Sequence, residues 1–93
     1  MGKNEKKVQK WLHNPPTDEP VERVEAVLKH FFGTVRKGAT SHIVVQDTRL
    51  EGMDDIGPDN DFSVPIRGGQ KVKKQYLRRI AEAVQYMGEV EED

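Results

Sequence analysis

The chain has 93 residues, 33% charged and 34% hydrophobic, with no cysteine. That length suits one domain around one modest core, and the composition excludes a disulfide framework, a thiolate metal site and thiol chemistry. Its 15 lysines and arginines against 16 aspartates and glutamates leave a formal net charge of −1, so the molecule as a whole is not a polycation that coats nucleic acid.

The chain opens on a polar run, residues 1–7, without the apolar stretch of a secretion signal. No segment reaches the roughly 20 apolar residues of a membrane span. A cytoplasmic protein with no membrane partner is expected. Residues 4–13 suit a short helix, because Val8, Trp11 and Leu12 fall on one side, and Asn14-Pro15-Pro16 ends it. Thr17 or Asp18 is expected to cap a second helix with Pro20 in its first turn. That helix carries Val21, Val24, Val27, Leu28 and Phe31 on one stripe and stops at Gly33.

Three strands are expected next, over residues 34–37, 42–47 and 61–66. The second is rich in β-branched residues, and in the third Phe62, Val64 and Ile66 alternate with Ser63, Pro65 and Arg67. Pro65 points to an edge strand or a strand end. The link 48–60 is acidic, but its acids lack the spacing of a calcium-binding loop, and a solvated loop is expected. A last helix over residues 73–87 presents Leu77, Ile80, Ala81, Val84 and Met87, before Gly88 and the acidic tail. The expected fold class is therefore α+β: a three-stranded antiparallel sheet with helices on one face, in the order αβββα, plus an extra N-terminal helix. Residues 1–20 form a helical arm, 21–88 the main domain and 89–93 the tail.

Charge is unevenly spread. Between Phe62 and Ala81 lie Arg67, Lys71, Lys73, Lys74, Arg78 and Arg79 with no acid among them. This run suits either a solvated helix face or a surface for phosphates. Strand alternation sends Ile43 and Val45 to the core with Phe62, Val64 and Ile66, and sends His42, Val44 and Gln46 to the open side with Ser63, Pro65 and Arg67. Histidine exchanges protons near neutral pH, and arginine offers a planar fork to phosphate. Gly68-Gly69 before Gln70-Lys71 lacks the P-loop pattern. It is expected to set flexible backbone and cations at the start of the last helix, where free amides favour anions, or to serve as a plain strand-to-helix turn. His13 and His30 fit structural roles, and Trp11 fits packing better than base stacking, which Tyr76 and Tyr86 leave open.

Residues 35–45, with Val35-Arg36-Lys37-Gly38 leading to Ser41-His42 at a strand start, resemble the signature of the HicA-type mRNA interferase family. Residues 64–74, Val64-Pro65-Ile66-Arg67-Gly68-Gly69-Gln70-Lys71-Val72-Lys73-Lys74, with Leu77 and Ile80 following, look like its second signature. Asn14-Pro15 before the second helix is similar to a longer-armed variety, and the resemblance spans about Val8 to Met87. It implies a double-stranded-RNA-binding-domain-like fold and a toxin-type endoribonuclease that is monomeric when free. Its partners are mRNA and a neutralising HicB-type antitoxin. It further implies His42 as general acid or base, without metal or other cofactor, and RNA contacts from Ser41, Lys37, Arg67, Lys71, Lys73, Lys74 and Arg78. The chain departs from the family in reading Thr40-Ser41-His42 where many members read Gly-Ser-His. It also has Arg67 where many have histidine, and arginine cannot accept a proton. A non-catalytic RNA-binding module and a protein-interaction domain are the alternatives on the same fold.

Overall fold

A computed structural model of the chain describes residues 2–38, 42–68 and 70–90. The first helix, α1 (Lys3–His13), closes at Asn14 ahead of the two prolines. A short strand β1 (Asp18–Pro20) leads directly into α2 (Val21–Phe31). Strands β2 (Thr34–Lys37), β3 (His42–Gln46) and β4 (Asp61–Pro65) follow, with one 3-10 turn at Thr48–Leu50 between the last two. A further strand β5 (Lys71–Lys73) enters α3 (Lys74–Tyr86).

Strands β2, β3 and β4 form an antiparallel meander with β3 in the centre. The register sets Arg36 and Ser63 on either side of Val44, Val35 and Phe62 on either side of Val45, and Pro65 opposite His42. Positions paired in this way share a face of the sheet. One face carries Ile43, Val45, Phe62 and Val64, all buried. The helices cover it with Val21, Val24, Val27, Leu28 and Phe31 from α2 and Leu77, Ile80, Ala81 and Val84 from α3, also buried. The other face has no helix: Thr34, Arg36, Ser63 and Pro65 are exposed, and His42, Val44 and Gln46 are half-buried. Pro65 ends an edge strand, where its missing N–H costs no ladder bond. The sheet and its open side therefore match the expected alternation, and the α+β class with a three-stranded antiparallel sheet stands.

Two expectations are corrected. Residues 18–20 do not cap or open α2. They pair antiparallel with 71–73, in a separate two-stranded ribbon. Pro20 precedes the helix with no side-chain cap, and the first amide of α2, on Val21, donates to the Gln70 carbonyl at 2.8 Å. The ribbon wins because it buries Val72 fully and Glu19 nearly so, and Glu19 accepts a hydrogen bond from Trp11 Nε1 at 3.2 Å.

The expected N-terminal arm is part of the core. Val8 and Trp11 are fully buried, and α1 packs along α3. Burying side chains of this size contributes about 1.5–3 kcal/mol each, so α1 is bound in place. The acidic link is likewise fastened: Leu50 is fully buried, and Arg79 donates to the carbonyls of Asp54 and Asp55, both at 2.9 Å. No helix among the described residues is long and apolar enough to cross a membrane.

Candidate functional site

His42 is the first residue of β3, on the side of the sheet that no helix covers. Beyond the last β2–β3 pair, Lys37 with Ile43, the Gly38 N–H donates to the His42 carbonyl at 3.1 Å. The imidazole position is thus framed by Gly38, just past the end of one neighbouring strand, and by Pro65 on the other. Ser41 lies outside the described residues.

Lys37 and Arg36 separate here. Lys37 shares its side with Val35 and Ile43, and its Nζ is 3.2 Å from Glu25 of α2, away from His42. Arg36 points to the open side, opposite Val44 and diagonal to His42, about 7–8 Å between Cα atoms in a regular ladder. It is exposed and makes no ion pair among the described residues. Arg36 was absent from the expected site residues, although alternation from Val35 would have found it.

The glycine pair does not open a helix. Arg67 and Lys71 exchange backbone hydrogen bonds of 2.7 and 3.2 Å, so residues 67–71 form a hairpin between β4 and the ribbon. Gly68 has φ +60, the left-handed region that glycine enters without a Cβ penalty. Gly69 lies outside the described residues. Strand β5 then intervenes, and the first amide of α3, on Lys74, donates to the Thr17 carbonyl at 3.0 Å. The expected glycine-loop anion site at a helix start is replaced by a hairpin that lines up cations.

Residues exchanging both bonds of an antiparallel pair lie about 5.5 Å apart with side chains on one side. Arg67 and Lys71 are such a pair, and Lys73, two residues on with buried Val72 between, shares that side. Like charges directly opposed are unfavourable without an anion. Among the described residues one internal anion is present. Asp18, opposite Lys73, has Oδ1 3.8 Å from Lys71 Nζ. Arg67 and Lys73 have no ion-pair partner among the described residues. Lys74 and Arg78, four apart on α3, line a cleft of about 230 Å³ with Pro15, Gln75 and Glu82. Arg67 itself is the joint at which the chain leaves the sheet opposite His42 and enters the ribbon.

Two further arginines hold structure together. Arg79 lies 5.4 Å from the Phe62 ring centroid and caps the link. Arg49 donates to both Asp47 oxygens, at 3.0 and 2.8 Å, to the Phe31 carbonyl at 2.8 Å, and to Glu89. The Arg49 guanidinium, aided by the backbone amides of Arg49 and Gly33, holds the Asp47 carboxyl down to about 2. No group of three or more acidic or histidine side chains among the described residues is arranged to hold a metal ion. Trp11 is buried, in keeping with packing, and the Tyr86 hydroxyl donates to the Glu51 carbonyl at 2.6 Å. His30 pairs with Glu5 at 3.4 Å. Compared with models of known families, with curated proteins and with solved structures, the chain shows no match in any of the three.

Proposed function

We propose that the chain is a toxin-type endoribonuclease of the HicA kind, in which His42 moves the proton and the exposed cations hold the RNA backbone. The observation that carries this reading is the position of His42: half-buried, at a strand end, on the sheet face that no described helix covers, with Arg36, unpaired among the described residues, diagonal to it and Arg67 two residues beyond its partner Pro65. A histidine serving only the core belongs on the opposite face.

The chemistry follows from the groups available. The imidazole takes the proton of a ribose 2′-hydroxyl. The 2′-oxygen attacks the adjacent phosphorus, the bond to the 5′-oxygen breaks, that oxygen takes a proton from water, and the imidazolium returns its proton to the hydroxide left behind. The products are a 2′,3′-cyclic phosphate and a 5′-hydroxyl. Arg36 and Arg67 stabilise the charge that grows on the phosphoryl oxygens. Arg67 takes no proton, so a single imidazole does the transfer. Lys71, Lys73, Lys74 and Arg78 contact neighbouring phosphates and fix register along the strand. A HicB-type antitoxin neutralises the protein by covering the same surface.

The test is cleavage of a long unstructured RNA with a chelator present, by the native protein and by His42→Ala after both are shown to be folded. The expected result is a rate about 10²–10⁴-fold lower in the variant, with cyclic phosphate ends from the native protein and no cleavage of the 2′-deoxy analogue. Unchanged cleavage by the variant, or loss of native cleavage to the chelator, contradicts the reading.

A further inference from the structure

The geometry points to Gly38 as a positioning residue for His42: the absent side chain at Gly38 is the space in which the imidazole lies. The inference rests on the reading of His42 as the proton-transfer group. The Gly38 N–H donates to the His42 carbonyl at 3.1 Å, which fixes the two residues opposite one another at the end of the β2–β3 hairpin. A Cβ built on Gly38 would stand 2.8 Å from His42 Nε2, 3.1 Å from Cδ2 and 3.5 Å from Cε1. The outer edge of the ring therefore lies across the Gly38 backbone. Among the described residues the glycines with left-handed φ are Gly52, Gly68 and Gly88, and Gly38 is not one of them. Its φ is therefore no reason for a glycine. What calls for glycine there is the ring.

The consequence separates activity from folding. The group that a new methyl would strike is the far end of a rotatable side chain, with no backbone atom among the three nearest contacts. Alanine at 38 thus leaves the strand pairing intact and drives the imidazole out of its place, toward another staggered χ1 well. A proton-transfer group must reach its target oxygen within about 2.6–3.2 Å, and a misplacement of about 1 Å costs on the order of 10²-fold in rate. Gly38 touches no reacting atom in this scheme. It acts through His42 alone.

The experiment compares native protein, Gly38→Ala, His42→Ala and the double variant, with RNA cleavage resolved into kcat and KM. NMR supplies the three-bond couplings that report the His42 χ1 and the contacts between His42 ring protons and Gly38 Hα. Gly38→Ala is expected to stay folded, to change the His42 χ1, and to lower kcat about 10- to 100-fold with KM within about twofold. The double variant is expected to be no slower than His42→Ala, because the two changes share one route. An unmoved χ1, a native kcat in Gly38→Ala, or a double variant clearly slower than His42→Ala overturns the inference. If the native protein cleaves no RNA, the catalytic reading fails, while the couplings still decide whether Gly38 sets the ring.

Discussion

The open sheet face and the β1–β5 ribbon differ in what holds them and in what they carry. The sheet joins neighbours in sequence, 34–37 with 43–46 and 42–46 with 61–65, and its open side carries the His42 imidazole and Arg36, which has no ion-pair partner among the described residues. The ribbon joins residues 18–20 to 71–73, across most of the chain, and carries Arg67, Lys71 and Lys73 along one side with Asp18 among them. Under the proposed function, proton chemistry belongs to the locally built part, and backbone binding to the part that exists only once residues 18–20 and 71–73 have met. Long-range pairs of three residues have little stability of their own, so the ribbon depends on its supports. Those supports are Trp11 against Glu19 and the buried Val72.

Trp11→Ala is the strongest way to break this dependence. It removes a fully buried indole and the donor to Glu19. It is expected to cost about 3–5 kcal/mol in denaturant unfolding. Amides of residues 18–20 and 71–73 should lose hydrogen-exchange protection before those of 43–46. A loss below about 1 kcal/mol, or equal deprotection of both regions, would show that the ribbon stands alone.

Acid should act on the sheet end. Asp47, which follows β3, ionises at about 2 in the folded chain against an ordinary 3.8, chiefly because Arg49 donates to it. The unfolded chain therefore binds the proton first as pH falls, and the stabilisation present above about pH 4 is lost progressively down to about pH 2. The Arg49 side chain is 42% exposed, so solvent screens the pair. A loss on the order of 1–2 kcal/mol is expected, read from unfolding midpoints across that window. Asp47→Asn should be less stable at neutral pH and show a flatter profile. An equally steep profile in that variant would assign the acid sensitivity to other groups.

The smallest effect concerns the internal anion of the ribbon. Asp18 pairs with Lys71, with side chains 31% and 55% exposed, and under the proposed function it would compete there with an RNA phosphate. Asp18→Asn should tighten RNA binding about two- to fivefold at low salt, with the gain fading as salt rises. Fluorescence anisotropy with a labelled RNA reads this directly. Weaker or unchanged binding would mean that RNA does not lie along Lys71.

The uneven legibility of the sequence follows the same division. Period-two alternation in 42–46 and 61–65 places His42 with Pro65 and Ile43 with Val64, because one face is buried and a slip of one residue would expose it. The α2 stripe was readable from Val21 to Phe31 for the same reason. The ribbon was not readable. Asp18-Glu19-Pro20 reads as a helix entry, Lys71-Val72-Lys73 as the start of a basic helix, and nothing local in either segment names the other. Lys37 was grouped with the RNA contacts as part of a basic turn, and its strand parity sends it to Glu25 instead. The same parity would have selected Arg36.

The proposed division of labour between the two regions is tested most directly by steady-state RNA cleavage, with kcat and KM measured for native protein, for His42→Ala and for the combined Arg67→Ala, Lys71→Ala and Lys73→Ala variant. His42→Ala is predicted to lose about 10²–10⁴-fold in kcat with KM nearly unchanged. The ribbon variant is predicted to raise KM at least tenfold with kcat nearly kept, and to show a shallower salt dependence. Loss of kcat in both variants with KM unchanged, or no loss of kcat in His42→Ala, would contradict the account.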